Sequence, residues 1–312
     1  MLTRRAWLGS GLMLLRGEEK TALRGIFPIA QTPFTAKDEL DVDTLVKQYD
    51  FIERGGVHGF VWPQLASEWS TLAEAERRAG SEAALKAGRG KKAAIVIGVQ
   101  SADARGAVRF AEHAAEHGAR ALIALPPPGQ PKPEEVLAYY KRIGEATKLP
   151  LFVQAVGAMS VEFVLEMARA VPTLEFIKDE AGEPLQRVGP LREGSKDRLK
   201  VFTGAHGRTL IDEMARGTAG SMPAASFADL YAQVWDLWQA GQREKAMELF
   251  GVVLLLVTEV QVYGIASLKY ILELRGVFPN HRVRGKEKTG LDPQAREMLA
   301  RLVEFARPRF RV

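Results

Sequence analysis

The sequence predicts an α/β chain folded as a (β/α)8 TIM barrel, with a helical extension after the eighth strand. Three observations predict it. Short apolar runs recur eight times between Gly25 and Ala224, and segments of helical spacing separate them. These runs do not alternate apolar with polar residues, so both of their faces are buried, as in parallel strands covered by helices. The turn after the first run, Gln31-Thr32-Pro33-Phe34, also lacks the glycine-rich phosphate loop that an open doubly wound sheet would place there. Eight such units in about 200 residues are the size of a closed barrel.

The N-terminus, Thr3-Arg4-Arg5-Ala6-Trp7-Leu8-Gly9 followed by Ser10-Gly11-Leu12-Met13-Leu14-Leu15, has paired arginines before a short apolar tract. It resembles a twin-arginine export signal, although no small-x-small cleavage site follows. The expectation is either export or a basic, frayed start on a cytoplasmic protein, with residues 1–21 standing outside the fold. The barrel is expected over residues 22–227. Its strands are expected at Gly25–Phe34, Gly59–Trp62, Ala93–Val99, Ala121–Leu125, Leu151–Val156, Leu174–Lys178, Lys200–Gly204 and Gly220–Ala224. Helices are expected at Asp43–Ile52, Ala73–Lys86, Ala104–His117, Pro133–Thr147, Val161–Ala170, Glu183–Glu193 and Thr209–Arg216. Residues 228–312 are expected to pack on the barrel as further helices: Ala228–Gln239, Arg243–Val260, Gly264–Arg275 and Pro293–Phe305. No Pro/Ser-rich linker sets this part apart. The apolar run Val252–Val257 is too short to make a stable membrane span.

Composition narrows the function. The 312 residues include no cysteine, which excludes disulfides and thiolate metal sites. A net charge of +5 and a pI near 9.3 suit an anionic small molecule. The densest basic cluster, Arg282, Arg284, Lys286 and Lys288, carries no interleaved aromatic residues, so nucleic acid is not an expected partner. Gly88-Arg89-Gly90-Lys91-Lys92 precedes a strand instead of joining strand to helix, and reads as a basic turn. His113-Ala114-Ala115-Glu116-His117 places two imidazoles on one helical face, but no third ligand is evident and the segment reads as a solvated face. No metal and no cofactor are expected. Trp235 and Trp238 read as packing or subunit-contact residues.

In a (β/α)8 barrel the chemistry sits at the C-terminal ends of the strands. The sixth strand ends in Phe176-Ile177-Lys178-Asp179-Glu180-Ala181-Gly182, which brings a lysine to that rim directly behind apolar residues. A free lysine amine has a pKa of about 10.4 and is almost wholly protonated at neutral pH. A lysine in a desolvated mouth can attack a carbonyl as a Schiff-base nucleophile. The plainer alternative is a strand-end ammonium paired with Asp179 or Glu180. On a continuing strand Glu180 shares the face of Lys178. His206, after the seventh strand, titrates near neutrality.

From about Leu23 to Phe305 the chain resembles the dihydrodipicolinate synthase and N-acetylneuraminate lyase family of Schiff-base aldolases. The carriers are Thr32-Pro33-Phe34, Ser67-Glu68 with Ser70-Thr71-Leu72, Phe176-Ile177-Lys178, Thr203-Gly204, Gly217-Thr218-Ala219-Gly220-Ser221 and Ser267-Leu268-Lys269. The resemblance implies a homo-oligomer, usually a homotetramer, in which Lys178 forms an imine with pyruvate or another 2-oxo acid. Catalytic candidates are Lys178, Glu180 and His206; substrate-binding candidates are Gln31, Thr32, Leu65, Ala66, Ser67, Glu68, Gln154 and Met222.

Three departures accompany the match. The family's Gly-Thr-Thr-Gly-Glu stands here as Gln64-Leu65-Ala66-Ser67-Glu68, so only the amides of Leu65 and Ala66 are left to hold a carboxylate. Pro126-Pro127-Pro128-Gly129 replaces the proton-relay tyrosine pair, leaving Glu180, His206 and Glu68 as substitutes. Gln154-Ala155-Val156-Gly157 and Met159 replace the pattern that binds aspartate semialdehyde. The expected activity is an aldolase or dehydratase acting on a 2-oxo acid or deoxy sugar acid; the alternative is a relative that binds a small anion without turnover.

Overall fold

A computed structural model describes residues 23–285 and 290–312. The twin-arginine-like stretch lies outside these residues, as do Lys286 and Lys288 of the basic cluster. Eight parallel strands, β1 (Gly25–Ile26), β2 (Gly59–Trp62), β3 (Ala94–Gly98), β4 (Ala121–Ala124), β5 (Leu151–Ala155), β6 (Leu174–Asp179), β7 (Lys200–Thr203) and β8 (Gly220–Ser221), form one sheet in the order β1-β8-β7-β6-β5-β4-β3-β2. Ile29 bridges Val61 on one side and Ala224 on the other, which joins the two ends of the sheet into a barrel. The expected fold class is the observed one.

Strands β1 and β8 are shorter than expected, for a covalent reason. Pro28 and Pro33 interrupt the first run and Pro223 the last, and a proline has no N–H to give to a ladder. Regular pairing therefore gives way to single contacts such as Ile29 N to Pro223 O at 2.7 Å.

The outer ring holds α1 (Val42–Arg54), α2 (Glu74–Ala87), α3 (Ala104–Glu116), α4 (Pro133–Ala146), α5 (Val161–Ala170), α6 (Pro184–Gly194), α7 (Leu210–Ala215) and α8 (Ala228–Gln239). Their starts are written locally. The side chains of Asp41, Asp103 and Ser160 accept from the amides of Thr44, Gly106 and Phe163, and prolines open α4 and α6. Helix α8 packs on β1, in the place an eighth barrel helix takes. Beyond it lie α9 (Arg243–Leu274) and α10 (Pro293–Ala306).

The two helices that the sequence predicts here meet at a kink inside α9: Gly264 has a non-helical φ of 61° and ψ of −144°, which suit glycine alone. By length and composition α9 could cross a bilayer. Its buried side chains instead pack against α8 and α10.

The barrel interior is a plug of large apolar side chains: Phe27, Val61, Phe152, Phe176, Phe202 and Met222 among them. Phe152 and Phe176 stack with centroids 4.4 Å apart, and Phe202 meets Phe27 and Phe152 edge-on at 5.3 and 5.2 Å. Such pairs are worth about 0.5–1.5 kcal/mol beyond their burial. The plug fills the cylinder below the mouth, so a ligand reaches the strand ends and goes no deeper.

Candidate active site

Period-two alternation decides what β6 delivers to the mouth. Phe176 joins the interior plug while Ile177 joins the outer core, so Lys178 points inward and Asp179 outward. The ladder continues past the strand through Glu180 N to Ala155 O at 2.9 Å, which turns Glu180 inward again beside Lys178. Lys178 Nζ lies 2.9 Å from Glu180 Oε2, with only 7% of the lysine side chain exposed. Asp179, the other candidate partner, is taken on the outer side by Arg187 at 2.8 Å.

Glu180 is held from two further directions. Gln154 Nε2 donates to Oε2 at 2.5 Å, and the Ala205 amide donates to Oε1 at 2.8 Å. Burial pushes its carboxyl up, but the Lys178 charge and these hydrogen bonds outweigh burial and hold it below the ordinary carboxylate range. Glu180 is thus an anion at neutral pH. The Ala205 amide is aimed by an uncommon backbone: Ala205, His206 and Gly207 have φ of 49°, 56° and 63°. Two non-glycine residues in the left-handed region cost of order 1–3 kcal/mol each and require support. Tyr231, fully buried on α8, supplies some of it by donating its hydroxyl to the His206 carbonyl.

The turn begins at Gly204, where there is no room for a side chain. A Cβ there would lie 2.0 Å from Glu180 Oε1 and 2.7 Å from Lys178 Cε. His206 is the second titratable group at the cavity. Burial and then the Lys178 charge lower its pKa below 6.5, with Glu180 opposing, so the imidazole is neutral at pH 7.

Lys178, Glu180 and His206 border a cavity of about 210 Å³ together with Leu65, Ala66 and Met222. Six of the residues singled out from sequence therefore meet at one place. Ile29, Gln64, Ala205, Pro223 and Ala224 complete the wall. Ile29 carries no polar signal that could have marked it, whereas Gly204 stands in the Thr203-Gly204 pair that carries part of the family resemblance.

The other five singled-out residues do not border the cavity. Gln154 acts one step back, through Glu180. Gln31 donates to the Ile29 carbonyl at 2.9 Å, and Thr32 accepts from the Trp62 indole at 2.9 Å while donating to the Ser67 carbonyl. The Ser67 hydroxyl donates to Ala30 O and accepts from the Gln64 amide at 3.0 Å. Glu68 turns away altogether: it pairs with the fully buried Lys269 and accepts from the amides of Arg284 and Gly285 at 2.7 and 2.9 Å. These groups fasten the β2 turn and the C-terminal segment to the barrel, which leaves the polar atoms of Thr32, Ser67 and Glu68 already committed, whereas the buried Gln31 Oε1 has no partner among the described residues.

Among the described residues no tyrosine stands where a proton relay would be sought. Tyr140 donates to the Ala124 carbonyl at 2.8 Å beneath the loop, and Pro126, Pro127 and Gly129 line an apolar cavity of about 530 Å³ with Met159 and Phe163. A larger cavity, about 900 Å³, lies at the N-terminal pole, bordered by Arg24, His58, Ala94 and Arg120. Size does not locate the site here, because barrel chemistry belongs to the opposite pole.

Comparison with known proteins identifies the family. The sequence pattern of the dihydrodipicolinate synthetase family matches residues 22–304. The chain is 28% identical to a 4-hydroxy-tetrahydrodipicolinate synthase of Rhizobium meliloti over 279 residues, covering 86% of this chain and 94% of that one. It is 26% identical to an L-2-keto-3-deoxyarabonate dehydratase of Azospirillum brasilense over 271 residues, 84% of this chain and 87% of the other. The solved dihydrodipicolinate synthase of Rhodopseudomonas palustris superposes with a TM-score of 0.83 at 27% identity, over 90% of this chain and 97% of that one. With a pattern that spans nearly the whole barrel and relatives that are a synthase and a dehydratase, this chain belongs to the dihydrodipicolinate synthetase family, among its lyases.

Proposed function

We propose that the chain is a Schiff-base lyase, an aldolase or dehydratase acting on a 2-oxo acid or a deoxy sugar acid through Lys178. One observation carries the reading: a buried lysine amine faces a small cavity at the catalytic pole of the barrel, with a carboxylate 2.9 Å away and a neutral imidazole on the same wall. The deprotonated amine adds to the C2 carbonyl to give a carbinolamine. Loss of water then gives an iminium. This cation draws electrons from C3: either the C3–C4 bond breaks, its electron pair staying behind as an enamine while C4 leaves as an aldehyde and its hydroxyl proton passes to His206, or a C3 proton passes to His206 and the resulting enamine expels the C4 hydroxyl as water. Protonation of the enamine and hydrolysis of the imine return the amine and a ketone. The iminium is itself the electron sink, so this route requires no metal.

The two titratable neighbours divide the remaining tasks. Glu180, ionised and held by three donors, orients the amine and stabilises the cationic intermediates. His206, neutral at pH 7, takes and returns protons, a role typically worth about two to four powers of ten in rate. The amides of Leu65 and Ala66 have no partner among the described residues, and they are the donors we assign to the substrate carboxylate. Exposed apolar side chains on α9, Leu255 and Val262, support assembly into a dimer or tetramer; a monomer in sedimentation would refute that part.

Borohydride reduction with pyruvate and with longer 2-oxo acids, followed by peptide mass analysis, tests the chemistry. An adduct confined to the Lys178 peptide, absent in a folded Lys178→Ala protein, is the expected result. Oxo acids that bind without any adduct would instead make the chain a binder without turnover. Loss of folding in Lys178→Ala would make the lysine structural.

A further inference from the structure

The two histidines that the sequence sets one turn apart on α3 acquire a third neighbour from another helix. Glu82 of α2 places Oε1 2.8 Å from His113 Nε2 and 3.9 Å from His117 Nε2. Glu116, the acid between the histidines in sequence, is not part of this group; the three donor atoms of Glu82, His113 and His117 all lie within 4.8 Å of one another. The rings are 4.4 Å apart, tilted by 39°.

We propose that Glu82, His113 and His117 form a binding site for one divalent first-row transition cation of the Zn²⁺ type, which ties α2 to α3. An ordinary carboxylate–imidazole pair accounts for His113, which is buried with Glu82 as its partner. His117 Nε2, 3.9 Å from Glu82 Oε1, is beyond hydrogen-bond reach of it. The His117 Nδ1 lies 2.8 Å from the His113 carbonyl oxygen, and a carbonyl only accepts, so Nδ1 carries the proton. In the neutral ring the unprotonated Nε2 then stands 3.9 Å from a carboxylate oxygen, with two electron-rich atoms on either side of one point. A cation at that point turns the opposition into coordination. The carbonyl partner is also the second-shell device that fixes the tautomer of metal-bound histidines.

The dimensions fit with small adjustments. Zinc–nitrogen and zinc–oxygen bonds of about 2.0–2.2 Å place tetrahedral ligands about 3.4 Å apart. The observed 2.8 and 3.9 Å fall on either side of that spacing, and Glu82, half exposed, is the ligand with room to adjust. Two imidazoles and a single carboxylate select a transition metal over Ca²⁺ or Mg²⁺, which take six or more oxygens.

The open side of the site faces solvent, where water or an anion completes the coordination. His117 also borders the large N-terminal cavity with Arg89, Lys92 and Arg120. The site therefore lies at the pole away from Lys178. Its role is to fasten helices and not to take part in the lyase chemistry.

The test uses tag-free full-length chain stripped with chelator and dialysed. Calorimetric titration with Zn²⁺ and absorption spectroscopy with Co²⁺ are expected to show one saturable equivalent per chain and the visible bands of four-coordinate cobalt. Zn²⁺ is expected to raise the thermal midpoint. His117→Ala and Glu82→Gln should each weaken binding by about tenfold or more, the scale that even a second-shell partner commands. Both should abolish the thermal shift, while Glu116→Gln changes neither. Absence of saturable binding overturns the proposal, as does binding that survives both substitutions or that Glu116→Gln weakens equally.

Discussion

Replacing Gly204 by alanine tests whether the site depends on the close packing of Lys178 and Glu180. The added Cβ would lie 2.0 Å from Glu180 Oε1, against an ordinary contact near 3.5 Å, so the carboxylate must retreat by about 1.5 Å. A hydrogen bond stretched that far is lost. Glu180 makes three, to Lys178 at 2.9 Å, Gln154 at 2.5 Å and the Ala205 amide at 2.8 Å. Bonds to charged groups contribute about 1.5–3 kcal/mol each, which puts a ceiling of roughly 4.5–9 kcal/mol on the loss. Solvent from the adjoining cavity can replace part of it, and overpacked sites generally relax to a cost of about 1–3 kcal/mol.

Gly204→Ala should therefore lower stability in urea by about 2–4 kcal/mol. It should also slow borohydride trapping at Lys178 by about tenfold or more, equivalent to about 1.4 kcal/mol at the barrier. Glu180→Ala in the Gly204→Ala background removes the overlapping group. It should cost at least about 1 kcal/mol less there than in the parent chain, a coupling characteristic of residues in contact. A Gly204→Ala protein with parental stability and parental trapping would refute the reasoning.

Two further outcomes follow from the charges. Because burial and the Lys178 charge hold His206 below 6.5, its neutral form is lost only as pH falls through that lowered value. The acid limb of the trapping rate should therefore lie below pH 6.5 and vanish in His206→Asn; an unchanged limb in that variant removes His206 from proton transfer. Glu68→Gln should cost about 3–5 kcal/mol by leaving the buried Lys269 ammonium without its carboxylate, while folded protein still traps at Lys178. Burial lowers Lys269 to about 8 from 10.5, so the unfolded chain binds more protons between those values. Its contribution to stability rises with pH across that window, and Lys269→Met should remove the rise. A Glu68→Gln chain that unfolds like the parent would show the pair to be idle.

Much of the fold was legible because its signals are local. Apolar runs without alternation mark doubly covered strands, and caps such as Asp41, Asp103 and Ser160 mark helix starts within a few residues. That Lys178 and Glu180 share a face was legible too, since strand period requires only that β6 continue, and the Glu180 amide shows that it does; that this face is the inner one was decided by Phe176 joining the interior plug. Strands β1 and β8 were read too long because an apolar run containing proline keeps its hydropathy while losing its donors.

The sequence by itself determined the cylinder, the pole at which its chemistry belongs, and a lysine at the end of the sixth strand, because each depends on periodicity and chain order. Only the tertiary structure decided which polar residues remain free for a ligand. Thr32, Ser67 and Glu68 have the right chemistry and the right loop, yet their donors and acceptors are already used to hold backbone carbonyls, a neighbouring amide and Lys269. The same holds for Glu82 joining His113 and His117 from a second helix. Partner choice depends on distances between residues far apart in the chain, and those distances exist only once the barrel has closed.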